Sequence, residues 1–103
     1  MQNREIELNI LRNVERISSQ KNLAQEIGFS VGKVNYVLKK LVEKGFVKAE
    51  RFLNSNNKLQ YKYLLTEKGF KEKVALTEKF IEIKKEEYDQ LQEEMQLYKK
   101  GLA

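Results

Sequence analysis

The chain has 103 residues, with 20 Lys/Arg against 15 Asp/Glu and neither Cys nor His. That length supports one modest core plus an appendage. The missing Cys and His exclude a disulfide framework, a thiol nucleophile, and the commonest general base and metal ligand. The carboxylates lie mostly beside lysines on solvated helix faces, so no catalytic residue, metal site or cofactor is expected. The longest apolar run is three residues, as at Tyr36-Val37-Leu38. No transmembrane helix or signal-peptide core follows from that, and a soluble, cytoplasmic protein with no membrane partner is expected.

The charge is unevenly placed. Residues 1–65 hold 12 Lys/Arg and 6 Asp/Glu, a net of +6, while residues 66–103 hold 8 and 9, a net of −1. Within 30–62 stand Lys33, Lys39, Lys40, Lys44, Lys48, Arg51, Lys58 and Lys62 against Glu43 and Glu50 alone. A basic patch of this kind is the footprint of a phosphate backbone; its plain alternative is a lysine-rich surface that only confers solubility.

In chain order, a first helix is predicted over 3–16, where Ile6, Ile10, Val14 and Ile17 share one face widened by Leu11. Ser18 or Ser19 suits the cap of a second helix, whose apolar stripe is Leu23, Ala24 and Ile27. Gly28 ends that helix, because glycine accepts the left-handed backbone of a helix exit. Ser30 then caps a third helix, 31–44, with Val34, Val37, Leu38 and Leu41 inward at steps of three and four. Ala24, Gly28, Val34 and Val37 fit a helix-turn-helix: a small residue at the crossing, a glycine turn, and valines that lock the second helix to the first. Such a unit pushes one helix outward into a DNA major groove.

The periodicity then changes. Residues 46–52 and 59–65 read as two strands, the second alternating apolar and polar, around the turn-forming Asn54-Ser55-Asn56-Asn57-Lys58. A hairpin directly after an outward helix is a wing, although an Asn-rich turn is also compatible with a purely structural hairpin.

From Thr66, a predicted N-cap, one long helix runs to the C-terminus, with Gly69 a weak interior position. Phe70, Val74, Thr77, Ile81, Lys84, Tyr88, Leu91, Met95, Tyr98 and Leu102 alternate at steps of four and three, a heptad seam. A second stripe, Leu76, Phe80 and Ile83, widens the apolar face in the first half only. The first half is therefore expected to pack on its own domain and on a partner, and the second half on a partner alone. A homodimeric coiled coil is the simplest cover for the seam residues Phe70 to Tyr98. A helix folded back on its own domain is the alternative, and the seam allows parallel and antiparallel pairs alike. The expected fold is mainly α with a small β-hairpin: a winged helix-turn-helix domain (1–65) followed by a dimerisation helix (66–103).

The segments SVGKVNYVLKKLVEKGFVKAERF and NSNNKLQYKYLLTEKG resemble the winged helix-turn-helix of MarR-type regulators. Their nearest likeness is a short subgroup associated with exopolysaccharide gene clusters, in which a GKVNY-type recognition helix, an S-x-N-K wing tip and a Y-x-YLLT-x-KG junction recur. The resemblance covers nearly the whole chain. It implies a sequence-specific, dimeric transcription factor acting on surface-polysaccharide synthesis genes. The chain departs from longer MarR proteins in lacking their additional N-terminal helix, so their effector cleft is not carried over and a small-molecule effector is not expected. Glu67 stands where Pro is common in the subgroup, and Glu suits a first helical turn.

The expected partner is double-stranded DNA. Asn35 suits adenine, Lys33 suits guanine and Val31 a thymine methyl; Gly32 allows close approach, and Tyr36 reaches a base or a phosphate. Ser30, Lys39 and Lys40 suit phosphates, and Arg51, Lys58 and Lys62 of the wing suit the backbone or minor groove. The rival reading is a protein-interaction adaptor using a winged helix and a coiled coil without specific DNA binding.

Overall fold

A computed structural model describes residues 2–16, 24–25 and 28–102. Among them are three helices, α1 (Gln2–Asn13), α2 (Val31–Glu43) and α3 (Glu67–Leu102), and two strands, β1 (Val47–Leu53) and β2 (Leu59–Leu65). The expected Ile17, Ser18 or Ser19 cap, Leu23 and Ile27 lie outside the described residues.

The first helix ends at Asn13, three residues before its expected end. Val14 still donates its N–H to Ile10, but Arg16 donates to Asn13, only three residues back, in a turn. Ile6, Ile10, Leu11 and Val14 are buried as the stripe requires. Glu7 and Leu8 are buried too, although they lie off it, because α1 packs against both α2 and α3.

The turn before α2 has the expected form. The carbonyl of Ala24, itself buried, accepts the N–H groups of Gly28 and Phe29, and Gly28 has a φ of 79°. Ser30 then caps α2, its hydroxyl accepting the Lys33 N–H at 3.2 Å. Val34, Val37, Leu38 and Leu41 are the buried face. The exit is a Schellman motif: Gly45 at φ 79° donates to Val42, and Phe46 donates to Leu41. Phe46 thus still belongs to the helix exit, and the strand begins at Val47 instead of at residue 46.

The strands pair antiparallel from Val47↔Leu65 to Leu53↔Leu59. Their turn is closed by Asn54, whose carboxamide oxygen accepts the N–H of Asn56 at 2.9 Å and of Lys58 at 3.0 Å. Asn57 takes the left-handed conformation, φ 61°, which asparagine tolerates better than most residues.

Helix α3 starts on the cap expected of Thr66, whose hydroxyl oxygen accepts the Gly69 N–H at 2.9 Å. The same hydroxyl reaches back to the carbonyls of Gly45 and Phe46, and Lys68 donates to the Lys44 carbonyl at 2.9 Å. The end of α2 and the start of α3 are therefore joined directly. Leu76 is buried in the core and Phe80 packs on its edge, so the second stripe does face the domain. The 36-residue helix then continues past the domain, and the molecule measures 69 × 26 × 19 Å.

Candidate nucleic-acid interface

Because Val34, Val37, Leu38 and Leu41 turn inward, helical spacing puts Val31, Lys33, Asn35, Tyr36, Lys39 and Lys40 on the outer surface of α2. All are exposed except Lys33, which is half-buried. Tyr36, 55% exposed, is the centre of this surface, its ring lying between the ammonium groups of Lys33, 5.9 Å from its centroid, and Lys40, 5.7 Å away. Both ammonium groups lie within cation–π range of the ring. They also concentrate positive charge around its ring.

The basic side chains differ in how far they are already engaged. Lys40 pairs with Glu43 at 3.6 Å, Lys48 with Glu50 at 3.5 Å, and Lys44 lies 4.0 Å from the largely buried carboxylate of Glu7. Among the described residues, Lys33, Lys39, Arg51, Lys58 and Lys62 make no ion pair. Their charge is open to an external anion. Glu7 was not legible as a site residue; it braces the C-terminal end of α2 from α1.

The elements place the sequence candidates in three groups. Ser30, Val31, Gly32 and Lys33 crowd the N-terminal end of α2, with the Ser30 hydroxyl occupied as cap acceptor while its own proton remains to donate. Asn35 and Lys39 lie on the side of α2 toward the hairpin, lining a cleft with Leu38, Ala49, Tyr61 and Tyr63. The rings of Tyr61 and Tyr63 stack with centroids 6.4 Å apart and form the cleft's far wall.

The third group is the hairpin. Directly paired residues share a face, so Arg51 with Tyr61 lies on one face and Lys62 with Glu50 on the other. Lys58 projects at the exposed tip. The hairpin therefore brings Arg51 to the face shared with Ala49 and Tyr63, and sets Lys62 on the opposite side. Tyr61 and Tyr63 were not singled out in the sequence; their alternation with Lys62 is the signal that assigns them to the face toward α2.

The seam residues of α3 are exposed along its length. Phe70, Val74, Ile81, Tyr88, Leu91, Met95, Tyr98 and Leu102 are all large apolar groups open to solvent. Between α1 and α3, Leu8, Phe80, Ile81, Lys84 and Tyr88 border an open apolar groove of about 420 Å³. Among the described residues, no group of acidic, His or Cys side chains is arranged to hold a metal. No helix among them is long and apolar enough to cross a membrane.

Residues 4–48 match the family model described as winged helix-turn-helix DNA-binding. No curated protein matches the chain in sequence. Among solved structures, smu.1704 from Streptococcus mutans is 26% identical, with a TM-score of 0.67 over 80% of this chain and 81% of that one. TA0346 from Thermoplasma acidophilum, a candidate transcriptional regulator, is 24% identical, with a TM-score of 0.69 over 88% and 94%. MepR of S. aureus, in a complex with DNA, is 17% identical, with a TM-score of 0.61 over 99% and 77%. The chain thus has a winged helix-turn-helix fold, with β1 and β2 as its wing and a long helix following it.

Proposed function

We propose that the protein is a dimeric, sequence-specific transcriptional regulator that reads an inverted-repeat operator. Helix α2 enters the major groove with its N-terminal end foremost, and the wing tip, residues 53–58, lies on the flanking backbone or minor groove. The observation that carries this reading is the outer surface of α2. Lys33, Asn35, Tyr36 and Lys39 stand at groove-reading positions, and neither Lys33 nor Lys39 is neutralised by a carboxylate among the described residues. An adaptor that meets only protein has no need of such an array.

In this reading Asn35 pairs with adenine, Lys33 donates to guanine, and Val31 touches a thymine methyl. Gly32 lets the backbone approach, while Ser30, Lys39 and Lys40 hold phosphates. Lys40 must give up its partner Glu43 to do so. Arg51 and Lys58 line the wing's approach to the duplex, and Lys62 serves a phosphate on the hairpin's other side. The likeness to MepR, which is of the MarR family and was solved with DNA, agrees with the motif resemblance. Residues 66–103 form the dimerisation unit through the seam, since two domains read paired half-sites and one reads too few bases. The resemblance carried by the GKVNY and NK-x-x-Y-x-YLLT motifs supports surface-polysaccharide synthesis genes as the targets.

Selection of bound duplexes from a randomised library at about 150 mM salt tests the reading, because nonspecific electrostatic binding is already weakened there. Enrichment of a palindromic motif is expected. Bound and input pools that look alike would sink it in favour of the adaptor.

A further inference from the structure

Resting on the dimeric reading above, we infer that the two copies of α3 pair antiparallel, about a two-fold axis level with Glu86, with the distal half of each helix lying in the groove between α1 and α3 of the other. The seam is its own complement about that point. Lys84 falls opposite the partner's Tyr88, and Ile81 opposite the partner's Leu91. Farther out, the small Thr77 meets Met95 and Val74 meets Tyr98; at the ends Phe70 meets Leu102. Every layer of the seam is filled, and the narrow proximal Thr77 and Val74 receive the wide distal Met95 and Tyr98.

A parallel pair lacks this fit. Each seam residue would face its own copy, so two Lys84 ammonium groups would share one layer, Thr77 against Thr77 would underfill a second, and Tyr98 against Tyr98 would overcrowd a third. In the antiparallel pair the Lys84 stem lies along the Tyr88 ring. Its charge still reaches Glu87 of its own helix, now 3.5 Å away.

Net charge points the same way. Residues 67–85 carry six Lys and four Glu, whereas residues 87–102 carry two Lys and four Asp/Glu. The antiparallel pair sets a net +2 half against a net −2 half; the parallel pair sets like against like.

Two further features find a use. Leu97, 66% exposed, lies off the seam, on the same side of α3 as Leu76 and Phe80. An antiparallel partner brings it level with Ala75, beside the partner's α1, whereas a parallel one leaves it about 20 Å beyond the domain. Leu91 and Met95 of the partner in turn lie over the groove bordered by Leu8, Phe80 and Ile81. The arrangement also offsets the two winged domains: the 20 residues between Leu76 and the level of its copy span about 30 Å. That is of the order of one DNA turn.

The chain has no Cys, so single cysteines in the full-length protein test the arrangement. Ile81→Cys alone and Leu91→Cys alone should remain uncross-linked under mild oxidation, since about 15 Å separates each from its copy along the axis. The two variants mixed and refolded together should form the mixed disulfide. Efficient cross-linking of each variant alone would overturn the antiparallel pair and leave the dimer standing. A monomer by sedimentation equilibrium, or a dimer that cross-links in no combination, would overturn both this inference and the role of α3 as dimerisation helix. A nitroxide on Lys100→Cys, off the seam and exposed, checks the result without touching the packing. A spin–spin distance near 40 Å is expected for the antiparallel pair, from the 28-residue offset, and one near 20 Å would overturn it.

Discussion

Gly69 presses its bare α-carbon against the carbonyl oxygen of Phe46. A Cβ at Gly69 would stand far inside contact distance of that oxygen and 2.9 Å from a methyl carbon of Leu65. The contact is where the exit of α2 meets the entry of α3, and the obstructing atom belongs to a backbone already bonded to Thr66. It cannot swing aside as a side chain would. Gly69→Ala is therefore expected to destabilise by ~1–3 kcal/mol, the usual range for overpacking, despite alanine's better helix propensity. Thermal unfolding followed by circular dichroism checks this, and an unchanged or raised midpoint would show that α3 can shift freely on Phe46.

The Thr66 hydroxyl serves three partners at the same joint. It donates toward the carbonyls of Gly45 and Phe46, at 2.6 and 3.0 Å, and accepts from Gly69. Thr66→Val keeps the shape and removes all three, so a loss of ~1 kcal/mol is expected from the missing cap. Thr66→Ser should stay close to the parent protein. Equal loss in both variants would assign the effect to the threonine methyl.

This joint marks the limit of what was legible in the chain. The buried face of α2, its Ser30 cap, the Asn-rich turn and the Thr66 cap all follow from patterns within a few residues, and each appears as expected. Gly69 read only as a weak helical position, because its partner Phe46 lies 23 residues away. Leu8 and Glu7 fall off the α1 stripe and are buried by α3 and α2, which local periodicity does not register. The early end of α1 has the same origin: the stripe Ile6, Ile10, Val14 continues through a turn as well as through a helix. In the candidate interface, helical spacing gave the outward side of α2. The separation of Arg51 from Lys62 required the strand register, and the braces on Lys40, Lys44 and Tyr36 depend on side-chain positions that no local pattern encodes.

Asn35 separates base reading from backbone binding. It is exposed on the side of α2 toward the wing, beside Lys39. Asn35→Ala should relax discrimination at one base pair of each half-site by ~1–3 kcal/mol, the worth of a good bidentate contact. Binding measured against single-base variants of the selected operator shows it directly. A uniform loss over all sequences would move Asn35 to the phosphates.

Lys58 tests the wing. Its backbone is fixed by Asn54, whose N–H it accepts at 3.0 Å and whose carboxamide it donates to, so removing the side chain leaves the turn intact. Lys58→Ala should weaken binding evenly across sequences and make the slope of log affinity against log salt shallower by about one. Titrations between 50 and 200 mM salt resolve that change. A slope identical to that of the parent protein would take the wing tip out of the interface.

Leu91 asks whether recognition depends on the long helix. The side chain is 63% exposed in the single chain and lies beyond the last residue that packs on the domain. Leu91→Asp therefore removes nothing from the monomer's core, yet in the dimer it would bury a carboxylate without a partner, which is strongly unfavourable. Sedimentation velocity should show a monomer at concentrations where the parent protein is dimeric. Far-UV circular dichroism should show some loss of helix, because a segment of this length is marginal in water without tertiary contacts. The consequence for DNA follows from linkage: the variant should bind an isolated half-site as the parent domain does and lose the added affinity for the inverted repeat. If it bound the repeat as tightly as the parent protein, the two half-sites would not be read by one α3-linked pair, and the exposed seam would have to serve another partner.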